Sequence, residues 1–102
     1  MIHVLAYFTA KPGKREALLA ELHKIMPAVH AEKGCRYYMP AIDTAGLGGE
    51  PTSLGSDSFV VVEHWETLAD LEAHAAAPTV GGSFAATKDM TANFFVHLVK
   101  PV

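Results

Sequence analysis

The amino-acid sequence predicts an α+β fold in which two helices cover one face of a four-stranded antiparallel sheet. Its 102 residues suffice for one domain with one hydrophobic core, so residues 1–102 are expected to form a single domain. Strand-like and helix-like segments follow one another in the order β-α-β-β-α-β. The first and third strand-like segments are apolar on both faces, as is typical of strands at the centre of a sheet.

The first half of the chain contains two strands, a helix and a long loop. Residues 2–11 carry apolar side chains on both faces of a strand, which a Pro-Gly step interrupts. Apolar residues at three- and four-residue spacing predict a helix over 14–31. Residues 35–42 form the second predicted strand. Residues 43–57 are rich in Gly, Ser, Thr and Pro, and they predict a loop that closes over a site or extends a subunit contact.

The second half of the chain is organised by a strand that runs directly into a helix. Residues 59–62 are apolar and mostly β-branched, and Thr67 is placed to cap the helix that follows. Pro78 is predicted to end this helix. Residues 79–90 are ambiguous, because two consecutive glycines interrupt them before a short helical piece. Residues 91–100 alternate as a fourth strand.

This order of elements is the ferredoxin-like arrangement, in which the first and third strands are central. We expect these two strands to be parallel, which would put His3 and His64 about 15 Å apart. Two helices can cover only one face of the sheet, yet the other face also carries large apolar side chains, among them Leu5, Tyr7, Val60, Val62, Phe95 and Val99. A monomer does not tolerate an exposed apolar sheet, so we expect a homodimer packed sheet to sheet.

Composition and charge argue against several classes of partner. The formal net charge is -3 with the histidines neutral, and the lysines and arginines are scattered, so no nucleic-acid partner is expected. The apolar N-terminal segment is too short for a membrane span, so no membrane partner is expected. Cys35 is the only cysteine, which excludes an intrachain disulfide and favours a reducing, cytoplasmic location.

Several short motifs along the chain together match the sequence pattern of a known protein family. They are Lys11-Pro12-Gly13-Lys14 after the first strand, the segment from His30 to Cys35, Val62-Glu63-His64-Trp65-Glu66 at the end of the third strand, the helical segment from Leu71 to His74, and Pro78. With these motifs nearly the whole chain resembles the antibiotic biosynthesis monooxygenase family, whose fold is the dimeric α+β barrel.

The resemblance implies a homodimer whose C-terminal strand reaches the partner subunit. Some members of the family oxidise quinols or aromatic polyketides with dioxygen and without a metal or a flavin, which implies that this chain needs no cofactor. The haem-degrading branch of the family uses an Asn in the first strand, and residues 4–8 contain none. The resemblance therefore favours a quinol or a hydroxylated aromatic over haem as the substrate.

His74 is the candidate catalytic residue. It follows Leu71 by three positions, so it points partly toward the core side of its helix. An imidazole has an ordinary pKa of about 6.5, which suits the removal of a proton from a phenol or quinol at neutral pH. The alternative is a histidine that only bonds a backbone carbonyl or a neighbouring acid.

Four further residues are candidate substrate contacts. Trp65, the only tryptophan, would stack on a flat aromatic substrate or simply fill the core. Glu63 shares its strand face and is expected at the rim of the pocket or bonded to a partner, since burial of an unpaired carboxylate is costly. Phe8 and Phe84 would complete a substrate site between the helices and the sheet.

The motifs of common cofactor sites are missing from the sequence. It contains no Ser-His-Asp signature, no phosphate-binding glycine-rich loop and no dinucleotide fingerprint. No metal site is expected either, because His3 and His64 are predicted to lie apart and His97 with His3 would supply only two ligands. We predict a cofactor-independent monooxygenase that acts on a quinol or hydroxylated aromatic. The alternatives are a non-catalytic dimer that binds a small ligand and an isomerase that uses the same pocket.

Overall fold

The computed structural model describes residues 1–47 and 51–102. In chain order the elements are β1 (Ile2–Ala10), α1 (Arg15–His30), β2 (Cys35–Ala41), β3 (Ser58–Trp65), α2 (Leu68–Ala76), α3 (Pro78–Thr87), a 3-10 turn (Lys88–Met90) and β4 (Thr91–Val99). The strands form one antiparallel sheet in the order β2-β3-β1-β4, with β1 and β3 at its centre. The predicted α+β, ferredoxin-like fold is confirmed, with one more helix than expected.

The predicted parallel pairing of β1 and β3 is wrong. The two strands are antiparallel neighbours, and His3 lies directly opposite His64. The crossover through α1 leaves one strand position open between β1 and β2, and β3 fills it running against both. The rings of His3 and His64 are therefore stacked, with centroids 3.9 Å apart.

The hydrophobic core lies between the inner face of the sheet and helix α1. Strand β3 alternates strictly, so that Phe59, Val61, Glu63 and Trp65 point inward and are almost fully buried. Helix α1 packs an apolar stripe against them, formed by Leu18, Leu22, Met26 and Val29. Within residues 1–47 and 51–102, no helix is both long enough and apolar enough to span a membrane.

Helix α2 begins at the predicted cap. The Thr67 hydroxyl accepts a hydrogen bond from the backbone N–H of Asp70 at 3.1 Å. The helix ends before Pro78, but this proline then occupies the start of α3, a position that suits its fixed φ angle. The predicted interruption at Gly81 and Gly82 is wrong, because packing of α3 against α1 outweighs the low helix propensity of glycine, about 1 kcal/mol per residue.

A turn at Gly34 brings the end of α1 beside the start of α2. Gly34 has a φ of +79°, a left-handed conformation that glycine adopts without strain. Its carbonyl oxygen accepts a hydrogen bond from the backbone N–H of Glu66 at 2.9 Å. A Cβ atom at this position would collide with the carboxyl group of Asp70. The turn thus holds the chain after α1, including Glu32, close to α2.

The face of the sheet away from the helices is the outer face. Antiparallel pairing aligns its side chains in rows across β3, β1 and β4, which are His64, His3 and Val99, then Val62, Leu5 and His97, then Val60, Tyr7 and Phe95. Tyr7 and Phe95 stack with ring centroids 4.9 Å apart. Phe95 is 48% exposed, so the outer face presents large apolar side chains to solvent, as predicted.

The loop between β2 and β3 is pinned by carboxylates where it is described. The Asp43 carboxylate accepts hydrogen bonds from the backbone N–H groups of Leu54 and Gly55 at 2.8 and 2.9 Å. Asp57 accepts another from the N–H of Gly13 at 3.1 Å. Part of the predicted 43–57 loop, residues 48–50, lies outside the described residues.

Candidate active site

A cavity of about 380 Å³ lies between the inner face of the sheet and the helices. This volume falls within the range of about 300–1,000 Å³ that is usual for small-molecule sites. Its floor consists of inward side chains of β1, β3 and β4, and its walls come from α1, α2 and α3. The lining is mostly apolar, and the buried titratable side chains gather at one end, the polar end, formed by Tyr38, Glu63 and His74.

His74 is held at the polar end by a carboxylate from another part of the chain. Its Nδ1 lies 2.7 Å from Oε1 of Glu32, a distance typical of a charge-assisted hydrogen bond in which Nδ1–H donates. This pairing leaves Nε2 as the nitrogen that can accept a proton. Nε2 lies 3.9 Å from Oε1 of Glu63. The arrangement therefore presents an oriented base at the polar end of the cavity.

Glu63 lines the polar end and has its own hydrogen-bond donor. The indole Nε1–H of Trp65 donates to Oε1 of Glu63 at 2.9 Å. Burial raises the pKa of the Glu63 carboxyl, since desolvation outweighs the indole hydrogen bond and the nearby His74. Trp65 itself is fully buried and does not line the cavity. Its ring lies behind the acid and the histidine, with its centroid 4.6 Å from that of His74.

Tyr38 completes the polar end from strand β2. It lies directly opposite Glu63 in the sheet, and its ring meets that of His74 edge-on with centroids 5.6 Å apart. Burial, reinforced by the carboxylates of Glu63 and Glu32, raises the pKa of its hydroxyl well above the usual value. Tyr38 is therefore a neutral phenol at physiological pH.

The other end of the cavity, the phenylalanine end, is aromatic. Phe8 stacks on Phe59 across β1 and β3 with ring centroids 4.9 Å apart, and its centroid is 4.6 Å from that of Phe94 on β4. Phe84 of α3 completes the cluster, 5.1 Å from Phe94. Phe84 is 42% exposed and Phe94 is 38% exposed, and the other β4 side chains that line the cavity, Val96 and Leu98, are exposed as well, so the cavity meets solvent along the β4 edge.

Comparison with known proteins places this fold and cavity in a family. The sequence model for antibiotic biosynthesis monooxygenase matches residues 1–85. The chain belongs to the antibiotic biosynthesis monooxygenase family. A relative from Escherichia coli K12, named "Probable quinol monooxygenase YgiN", is 35% identical over 103 residues, which cover 99% of this chain and 98% of the relative.

Solved structures share the architecture of this family member. PA3566 from Pseudomonas aeruginosa has a TM-score of 0.81 at 25% identity, covering 99% of this chain and 93% of its own. Rv0793 from Mycobacterium tuberculosis has a TM-score of 0.80 at 24% identity, covering 99% and 94%. A conserved protein from Methanosarcina mazei Go1 reaches 0.83 at 15% identity, covering 99% and 92%. The last two likenesses concern the fold alone.

The residues predicted from the sequence meet at the cavity, with one exception. His74 and Glu63 line its polar end, and Phe8 and Phe84 line its phenylalanine end. Trp65 lies behind the polar end instead of on the cavity surface. The catalytic and substrate-binding roles of these residues stay predictions.

Sequence reasoning missed the role of Glu32 and of Phe94. Glu32 is 42 positions from His74 in the chain, and its only signal was its place within the motif from His30 to Cys35. Phe94 could have been found from the inward face of β4, because it lies opposite Phe8 in the sheet. The place of Tyr38 beside His74 could not be read from residue spacing either.

The paired His3 and His64 lie on the outer face, away from the cavity. Desolvation and the neighbouring His3 lower the pKa of His64. Tyr37 adjoins the pair, with its ring centroid 5.2 Å from that of His64. Across residues 1–47 and 51–102, no group of three or more His, Cys, Asp or Glu side chains is arranged to hold a metal ion.

Proposed function

We propose that this protein is a monooxygenase that oxidises a quinol or another hydroxylated aromatic with dioxygen and uses no metal or organic cofactor. The observation that carries the proposal is the pairing of His74 with Glu32 at the polar end of an otherwise apolar cavity. Family membership supports the reaction class. The name of the Escherichia coli relative agrees with a quinol as substrate.

In the proposed reaction His74 is the general base. A phenolic hydroxyl at the polar end gives its proton to Nε2, while Nδ1 stays bonded to Glu32. The resulting imidazolium lies between two carboxyl groups, with Glu32 2.7 Å from Nδ1 and Glu63 3.9 Å from Nε2. Opposite charges at these distances stabilise the protonated base in an enclosed site.

The deprotonated quinol is then the electron donor to dioxygen. One oxygen atom forms a bond to a ring carbon, the other leaves as water, and the quinol becomes a hydroxyquinone. Atoms balance because quinol plus dioxygen equals hydroxyquinone plus water. The cavity binds and orients the substrate, with Phe8 and Phe84 among the side chains that line it, and its apolar walls exclude bulk water. Trp65 lies behind the cavity wall, where its indole N–H holds the Glu63 carboxyl in place by a hydrogen bond.

Dioxygen consumption by purified, metal-free protein tests the proposal. With reduced naphthoquinols and benzoquinols we expect uptake well above autoxidation of the same quinol, with one hydroxyquinone formed for each dioxygen consumed. A rate that appears only after iron, copper or flavin is added would contradict the cofactor-independent reaction. Quinol binding without uptake would favour the ligand-binding alternative, and rearrangement of the substrate without uptake would favour an isomerase.

We also propose that the functional unit is a homodimer joined through the outer faces of two sheets. The support is the set of large apolar side chains that the helices leave uncovered, such as Phe95 at 48% exposure and Val99 at 46%. In a sheet-to-sheet dimer these side chains pack against their counterparts. Each cavity, on the inner face, stays open to its own substrate.

Two further proposals concern the organisation and the location of the chain. We propose that residues 1–102 form a single domain, which a single cooperative unfolding transition would support and two separate transitions would oppose. We propose a cytoplasmic location, on the basis of the single cysteine, Cys35. Fractionation of cells that express the native gene would test this location.

A further inference from the structure

We propose that the cavity selects an elongated substrate, a phenol or quinol whose ring carries an alkyl side chain that extends from the polar end to the phenylalanine end. The inference rests on the proposed function in one respect only, which is that the ring hydroxyl is placed at His74. It adds a second recognition element, the phenylalanine end, and a chemical class of substituent that this element recognises.

The register of the sheet fixes the distance between the two ends. The inward side chains form three rows across β3, β1 and β4, which are Glu63, Val4 and Leu98, then Val61, Ala6 and Val96, then Phe59, Phe8 and Phe94. The first and third rows are four residues apart, about 13 Å along the strands. This exceeds the length of one aromatic ring, so a ring whose hydroxyl reaches His74 leaves the phenylalanine end unfilled.

The path between the two ends suits an apolar chain. Ala6 is the smallest side chain on the floor and lies in the middle row, beside Val96 on the edge strand. The remaining polar side chains that border the cavity from α2 and α3 are Glu72, which is exposed, Ser83, which is half-buried, and Thr87, which is buried and donates its hydroxyl to the carbonyl oxygen of Ser83. A methylene chain along the floor therefore meets aliphatic side chains, whereas a second hydroxyl or a charge there would lose its hydration.

The phenylalanine end offers a surface that such a chain would cover. Phe59, which is buried, and Phe8, which is half-buried, form its base, and Phe84 and Phe94 form its solvent side at 42% and 38% exposure. The four rings come from three strands and one helix, so their spacing is set by the whole fold. A chain seated among them removes apolar surface from water, which favours binding in proportion to the area covered.

Titration with a series of para-alkylphenols tests the inference without any oxidation. The probes are para-cresol, para-butylphenol, para-hexylphenol and para-octylphenol, with affinity measured by calorimetry. Burial of a methylene group raises affinity by up to about fourfold. We expect a rise with chain length that levels off once the chain fills the space between the two ends. A flat series would overturn the inference.

Neighbouring positions on β4 supply matched variants. Phe94→Ala should reduce the gain per methylene and leave para-cresol binding nearly unchanged. Phe95→Ala removes an equally large ring from the opposite face of the strand, so it should preserve the gain. Val96→Phe narrows the middle row, and it should weaken binding of the long phenols only. All three positions are exposed, so each variant should fold.

The outcomes separate this inference from the monooxygenase proposal. An equal effect of Phe94→Ala and Phe95→Ala would show that the chains bind elsewhere and would overturn the inference. Because phenol binding is measured without turnover, a protein that consumes no dioxygen could still show the expected series. Conversely, rapid dioxygen uptake with short quinols, together with a phenol affinity that does not change with chain length, would support the monooxygenase proposal and refute the elongated substrate.

Discussion

The pair formed by His74 and Glu32 can be tested by comparing loss of the base with loss of its partner. His74→Ala should lower kcat for quinol oxidation by about 10²–10⁴-fold, since it removes the general base. Glu32→Gln replaces the carboxylate that orients Nδ1 and should cost about 10- to 100-fold, the equivalent of one charged hydrogen bond. Initial rates of dioxygen uptake measure both effects.

The control for this comparison is a histidine on the outer side of α1. His23 is exposed, so His23→Ala should keep the rate of the unaltered protein. Circular dichroism would verify that each variant is folded. Full turnover by a folded His74→Ala protein would refute the assignment of the base.

Glu63 should make the fold less stable as the pH rises. Because its pKa is raised in the folded protein, the folded state holds this proton more tightly than the unfolded chain does. The free energy of unfolding therefore falls as pH increases from the unfolded pKa of about 4.3 through the raised value. Glu63→Gln should raise the urea midpoint at neutral pH more than at acid pH.

Glu66→Gln is the matched control for this pH experiment. Glu66 follows Glu63 by three residues, and its side chain is 53% exposed in an ion pair with Arg36. Only the substitution at the buried residue, Glu63→Gln, should shift the urea midpoint in a pH-dependent way. The same pH-dependent shift in both variants would contradict the role given to burial at Glu63.

At the scale of residues, the sequence predicted which face of a strand or helix each side chain lies on, but not how deeply that side chain is buried. Helix and strand periodicity was enough to direct His74 and Glu63 toward the same space. Periodicity also put Trp65 on the inner face, yet its burial behind Glu63 depends on how the surrounding elements pack. The partner of His74 could not be found, because contacts between residues far apart in the chain leave no local pattern.

At the scale of elements, two glycines with similar backbone angles should differ in their tolerance of alanine. Gly34 has a φ of +79° and Gly13 has a φ of +76°, so alanine at either is strained by about 1 kcal/mol. Only at Gly34 would the new Cβ also meet the carboxyl group of Asp70. We expect a loss of unfolding free energy of about 1 kcal/mol for Gly13→Ala and about 2–3 kcal/mol for Gly34→Ala. Urea denaturation of the two variants measures the difference, and equal losses would show that Asp70 moves aside freely.

Element types were easier to predict than element boundaries or directions. The strands and the first two helices have strong periodicity, and the structure has them within a few residues of the predicted bounds. Helix α3 was hidden by its two glycines, because its stability comes from packing against α1 and not from its own sequence. The direction of β3 relative to β1 follows from the crossover topology, which the apolar pattern of each strand does not report.

At the scale of the whole molecule, a charge at the centre of the outer face should break the proposed dimer. Leu5→Lys places an ammonium group in the middle row of the outer face, between Val62 and His97, where burial without a partner costs several kcal/mol. The dimer dissociation constant should rise by about 10²-fold or more. Light scattering across a dilution series measures this change. Ala85→Lys, on the exposed side of α3, is the control that should leave the dimer intact.

The cavity as a whole could not be predicted from the sequence. Its floor joins side chains from β1, β3 and β4, and their rows depend on a register that is set only when the strands pair. The fold class needed only the order and periodicity of the segments. The separation of the polar end from the phenylalanine end is a property of the assembled sheet.

The exposure of β4 has a consequence for how this scaffold can evolve. The groups proposed for chemistry, His74 and Glu63, are buried, so most changes to them also disturb the fold. The phenylalanine end is bordered by exposed positions such as Phe94 and Val96, where substitutions usually alter stability by less than about 0.5 kcal/mol. Under the proposed function, a lineage can therefore exchange one aromatic substrate for another through point mutations on a single edge strand, while the buried residues proposed for chemistry stay unchanged.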